Sequence, residues 1–152
     1  MNPLDLSSSS APSTRRDLLR MLAAFTGLAG AGVHLAAAHE SAPGGPKVTP
    51  VTTHELPDIP GQSVTLVSLV FAPGAASEPH KHPGSVLVYV LEGAVELQAG
   101  ESPLTTVRAG ETFFEPAGVV HAVARNPSKT EPARAIAFLL GKTGEPLTLP
   151  AK

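Results

Sequence analysis

The chain contains no cysteine. That excludes disulfides, thiolate metal sites, a cysteine nucleophile and a lipoprotein anchor, so any metal is held by nitrogen and oxygen donors. Aromatic residues make up only 4% of it, with no tryptophan; Phe71, Phe113, Phe114 and Phe138 are read as core and Tyr89 as packing. Net charge is −2 and no basic run occurs beyond the N-terminal segment, so nothing points to a nucleic-acid partner. No fixed-period repeat is visible, and no amphipathic helix stands out after residue 38. What the chain does have is 42% hydrophobic residues punctuated by 16 prolines and 14 glycines over 152 positions. This suits one domain of many short strands.

Residues 1–38 read as a targeting segment rather than as part of the fold. Thr14-Arg15-Arg16-Asp17-Leu18-Leu19-Arg20 precedes an apolar run from Met21 to Leu35, and Ala36-Ala37-Ala38 closes it. A charged stretch, an apolar stretch and a small-residue end are the marks of a secretory signal peptide. The paired arginines resemble the twin-arginine export signal, whose cargo crosses the membrane folded and often with its cofactor in place. The apolar run is only about 15 residues, short for a spanning helix, so no stable membrane anchor is expected after processing; a buried helix of the mature protein is the alternative. Cleavage removes Arg15, Arg16 and Arg20 against Asp5 and Asp17, leaving a more acidic protein in the periplasm or outside a bacterial cell. His39 then becomes the first residue, either a copper-chelating terminus or the start of the loose Ser41–Pro46 tail.

From Val48 the pattern is β. Residues 39–60 form an N-terminal extension with a first strand at Val48–Glu55, and residues 61–145 form the main domain. Strands are expected at 63–71, 86–91, 94–98, 104–107, 112–115, 121–125 and 133–140, with Gly and Pro turns between them. In the second strand Val64, Leu66, Ser68 and Val70 share a face. Eight strands so spaced predict a sandwich or barrel.

Two of the six histidines stand one residue apart in Pro79-His80-Lys81-His82-Pro83. On a strand both would project to one face, forming half of a metal site; alone, the pair reads more readily as two solvated side chains in a polar loop. A third, His121, follows Pro116-Ala117-Gly118 at the start of a later strand.

The spacing Gly74, five residues, His80, one residue, His82, then Gly93 resembles the first motif of the cupin family. Gly110, five residues, Pro116, one residue, Gly118, two residues, His121 resembles the second, with Asn126 one residue late. The resemblance covers roughly residues 60–140. It implies an all-β double-stranded β-helix, or jelly-roll barrel, in which His80 and His82 from one strand and His121 from another hold a divalent metal. Fe(II) leads, with Mn, Zn, Ni or Cu as alternatives. It further implies a small-molecule, oxygen-chelating ligand, dioxygenase-like chemistry, and a homodimer joined through strand edges.

One position departs from the family. Many cupins carry a glutamate four residues after the second histidine, and here that residue is Val86. Three neutral imidazoles leave the metal's full +2 charge, which favours anionic ligands. Glu115 and, less readily, Glu78 are the acids that could substitute. Arg125 and Arg134 are read as surface residues or as counter-charges for an anionic ligand. A non-catalytic metal or small-molecule binder, and a metal-free structural relative, remain as alternatives to the enzyme.

Overall fold

The computed structural model describes residues 44–151. The expected signal segment and His39 lie outside the described residues. Ten strands run in chain order: β1 (Lys47–Glu55), β2 (Gln62–Phe71), β3 (His80–Lys81), β4 (Ser85–Glu92), β5 (Ala94–Ala99), β6 (Thr105–Arg108), β7 (Thr112–Glu115), β8 (Val120–Arg125), β9 (Ala133–Lys142) and β10 (Leu149–Pro150). They form two five-stranded antiparallel sheets, ordered β1-β2-β9-β4-β7 and β10-β3-β8-β5-β6. This is the double-stranded β-helix the motifs imply. All eight expected strands are present. The other two are β3, where the motif resemblance implies a strand for the histidine pair, and β10; each is two residues long, too short to leave any periodicity in the sequence.

The core lies between the sheets and follows strict alternation. Val86, Val88 and Val90 of β4 are buried while Leu87, Tyr89 and Leu91 are exposed. On β9 Ala133, Ala135, Ala137 and Leu139 point inward beside them. The opposite sheet contributes Val95, Leu97, Val107 and Ala124. Small alanines of β9 stand beside branched valines of β4, Ala137 by Val88 and Ala135 by Val90, so side chains of unlike size alternate in the core.

The face expected to be shared on β2 is the outer one. The inner face is Ser63, Thr65, Val67, Leu69 and Phe71, and the buried Thr65 hydroxyl is satisfied by Thr53 Oγ1 at 3.0 Å. Apolar side chains on both faces of a strand leave alternation unable to choose between them. For the same reason two of the phenylalanines assigned to the core are not there: Phe114 is 58% and Phe138 39% exposed, whereas Phe71 is buried and Phe113 packs against the core. Tyr89 does face away from Val86, Val88 and Val90, but onto the outer surface.

That outer surface is apolar across four strands. Phe114, Leu87, Phe138 and Leu66 stand in one cross-strand row, with Leu140 and Val64 in the next. On the opposite sheet the outward positions are polar, for example Glu96 and Arg125, paired at 2.6 Å.

Candidate metal centre

The three histidines converge, His121 buried and His80 and His82 half-buried. Their ring centroids are 4.9 Å (His80–His82), 5.0 Å (His80–His121) and 6.4 Å (His82–His121) apart. One ligand nitrogen from each lies within 4.8 Å of the others. His80 is on β3 and His121 on β8, directly paired across the sheet. The strand expected to carry both first-motif histidines ends at Lys81, so His82 sits just past it. The loop replaces the strand there because Pro83 follows and cannot donate to a ladder.

His121 faces inward because of a local irregularity. On β8 Ala124 pairs Leu97 and is buried, so simple alternation would turn the residue three positions earlier outward. The register slips between Gln98 and Ala99, and His121 pairs Ala99 instead. The extra residue, Ala122, forms a bulge that returns His121 to the interior, 5% exposed. No sequence signal marks this.

Two of the imidazoles are oriented by backbone carbonyls. His80 Nδ1 donates to Glu78 O at 2.8 Å and His82 Nδ1 donates to Leu147 O at 2.6 Å. Each bond fixes the tautomer and leaves Nε2 free to ligate. Leu147 lies just before β10, so the C-terminal strand acts as a strap that returns to hold His82. Gly118 N donates to His82 O at 2.7 Å, tying the turn of the second motif to the first. Burial and the neighbouring His82 and His121 rings hold His80 below the ordinary imidazole range, against the opposing pull of its Glu78 bond and Glu115. The neutral, ligating form of His80 is thereby favoured.

Of the two candidate acids, Glu78 is exposed and meets the site through its backbone carbonyl alone. Glu115 ends β7 pointing inward, 3% exposed. Its Oε2 lies 3.0 Å from His121 Nδ1 and 3.6 Å from His82 Nε2. Three buried side-chain atoms in the described residues have no hydrogen-bond partner: Glu115 Oε2, His121 Nδ1 and His121 Nε2. All three belong to this cluster. An uncompensated buried carboxylate costs several kcal/mol even after relaxation, and a cation bound among these atoms would offset that cost. The donor set of imidazole and carboxylate suits Fe, Mn, Zn, Ni or Cu, so the residues present fit a divalent ion.

The surroundings are apolar. Phe113 stacks beside His121 with centroids 6.4 Å apart and planes at 20°, and Val86 and Val88 line the β4 side. Arg125 and Arg134 both lie on outer faces, paired with Glu96 and Glu92, the latter at 4.0 Å. Asn126, the late residue of the second motif, is buried away from the cluster. Its amide donates to the carbonyls of Phe71, Ala72 and Glu131, and its Oδ1 accepts from Ser128 N. It fastens the loops at the start of β9 and has no ligand role.

Comparison with known proteins agrees with this architecture. Residues 67–139 match the family described as "Cupin domain". Germin-like protein subfamily 2 member 2 of Arabidopsis thaliana is 37% identical over 82 residues, covering 51% of this chain and 37% of that protein. Oxalate oxidase 2 of Hordeum vulgare is 34% identical over 127 residues, covering 74% and 55%. An oxalate oxidase solved in complex with the substrate analogue glycolate superposes with a TM-score of 0.54 at 29% identity, covering 72% of this chain and 56% of that one. The chain spans about half or less of the length of these curated relatives.

Proposed function

We propose that this chain, with a cupin domain over residues 67–139, is an exported metalloprotein. In it His80, His82 and His121 hold one divalent ion, Fe(II) foremost. The observation that carries the reading is the group of buried, unpartnered polar atoms within a three-imidazole cluster. When bound, the ion supplies Lewis-acid or redox chemistry to a small ligand that chelates through oxygen. The rest is the work of this chain's own residues. The carbonyls of Glu78 and Leu147 hold His80 and His82 in the ligating tautomer. Val86, Val88 and Phe113 exclude water on the β4–β7 side, which strengthens every electrostatic contact inside. Likeness to an oxalate oxidase and to its glycolate complex favours small carboxylates as ligands, in a dioxygenase-like or oxidase-like reaction. A binder without turnover is the second reading, favoured by Val86 at the position where many cupins carry a ligating glutamate.

Export is supported by the paired Arg15-Arg16, the apolar run after them and the Ala36-Ala37-Ala38 end. A homodimer is supported by the apolar outer face of β2, β9, β4 and β7, since monomers rarely expose contiguous apolar patches of this kind. The proposed contact is therefore a sheet face, in place of the strand edges that the family resemblance implies.

The test is metal analysis joined to an O₂-uptake screen over oxalate, glycolate, diketones, catechols and flavonols. Wild type is expected to carry about one ion per chain and His82→Ala to lose it, since ligand removal and metal loss are linked. Failure of the wild-type protein to take up Fe, Mn, Zn, Ni or Cu overturns the metal reading. Metal without turnover on any of these substrates selects the binder.

A further inference from the structure

We infer that Glu115 is a direct metal ligand, and that it is the glutamate missing at Val86 moved across to the neighbouring strand. The inference rests on the metal-binding reading above and says what completes that site.

Val86 on β4 and Glu115 on β7 are paired residues. Both side chains are buried on the inner face. Directly opposed residues on one face of an antiparallel pair have Cβ atoms about 4.5–5.5 Å apart. A glutamate side chain is long enough to cover most of that gap, so a carboxylate starting from either strand reaches the same volume. The register of β4 on β7 therefore makes positions 86 and 115 alternative origins for one ligand.

The distances agree. Two atoms bound to one ion through bonds of about 2.0–2.2 Å at tetrahedral or octahedral angles lie about 2.8–3.6 Å apart. Glu115 Oε2 is 3.0 Å from His121 Nδ1 and 3.6 Å from His82 Nε2. His82 Nδ1 is already committed to Leu147 O, so the nitrogen nearest Glu115 is the one His82 has free for a metal.

The competing role is that of an acceptor that merely orients His121. The 3.0 Å contact to His121 Nδ1 lacks the direction of a hydrogen bond, and both atoms remain unpartnered. His80 and His82 are each held by a backbone carbonyl at 2.6–2.8 Å, so the main chain and not a carboxylate orients those two rings. A carboxylate and an imidazole that approach closely without pointing at each other are placed to converge on a third atom. With Glu115 ligating, the ion and its four side chains carry a net charge of +1 rather than the +2 of three imidazoles alone. Val86 then serves as an apolar wall where the family's carboxylate would stand.

Co(II) is the probe, because its visible spectrum reports the donor set. Four proteins are titrated, each checked for retained fold by circular dichroism: wild type, Glu115→Gln, Glu115→Val, and the transposed pair Val86→Glu/Glu115→Val. Wild type is expected to bind one Co(II) per chain. Glu115→Gln and Glu115→Val are expected to bind about 100-fold more weakly or worse, beyond the 10–100-fold typical of an outer-shell change, with an altered visible spectrum. The transposed pair is expected to regain affinity to within about tenfold of wild type, along with its spectrum. Unchanged affinity and spectrum in Glu115→Gln overturn the inference, as does weakened binding with an unchanged spectrum, which is the signature of a positioning residue. In both cases wild-type binding leaves the three-histidine reading standing. No Co(II) uptake by wild type removes that reading and this one together.

Discussion

The two sheets are built from different material and do different work. The sheet β1-β2-β9-β4-β7 has four strands of 8 to 10 residues and one of 4. Its inner face is mainly valine and alanine, and its outer face is apolar as well. The sheet β10-β3-β8-β5-β6 has strands of 2 to 6 residues, a bulge at Ala122 and a polar outer face. The histidines belong to the irregular sheet or its immediate loop, and the carboxylate comes from the short edge strand β7 of the regular one. A long alternating strand presents side chains at fixed 2-residue intervals and cannot crowd four polar groups onto one point. Short strands, a bulge and a loop can. The regular sheet supplies most of the buried apolar area, on the order of 1.5 kcal/mol or more for each fully buried valine such as Val90. The other sheet spends regularity on aim.

The contrast can be broken most severely where the two sheets join. Gly84 connects His82 to β4, and a Cβ there would run into the Leu140 carbonyl of β9. Backbone cannot swing aside as a side chain can, so Gly84→Ala is expected to destabilise by about 3 kcal/mol or more. Urea unfolding checks this; a loss below about 1 kcal/mol would mean that the β4–β9 packing is slack.

The outer faces offer the next test. Phe138 stands in the middle of the apolar row on the regular sheet. Phe138→Asp is expected to convert the proposed dimer to monomer, by sedimentation, with dissociation strengthened about 100-fold or more through a buried unpaired charge at the contact. A wild-type protein that sediments as a monomer at high concentration would remove the face-to-face dimer.

The smallest effect is expected on the polar outer face. Arg125 and Glu96 are 2.6 Å apart, with the arginine side chain half exposed. Arg125→Ala is expected to change stability by less than about 1 kcal/mol, because solvent screens such pairs. A larger loss in thermal or urea unfolding would show that the second sheet depends on its surface charges as the first depends on its core.

Much of this molecule is legible in its sequence. Ser63–Phe71, Val86–Leu91 and Ala133–Leu140 read as strands because their β-branched and apolar residues run between Gly and Pro turns, and they are β2, β4 and β9. The histidines stood out because two lie one residue apart and the third follows a Pro-x-Gly turn. The placement of Phe114 and Phe138 was not legible, since a strand with apolar residues on both faces carries no mark of which side is buried. Nor was the strap from Leu147 to His82, which spans 65 residues of sequence and leaves no local trace.

By itself, the order of residues determined the all-β class, the eight longer strands, the absence of thiolate chemistry and the three histidines of the centre. These follow from alternation, turn residues and composition, all of which act locally along the chain. Tertiary structure alone decided that His121 turns inward, since a bulge at Ala122 sets its parity. It also decided that Glu115 stands opposite Val86, since the register of β4 on β7 is set by packing between distant segments. The sequence offers Glu115 and Glu78 alike as candidate acids, and only the pairing of the strands separates the buried one opposite Val86 from the exposed one.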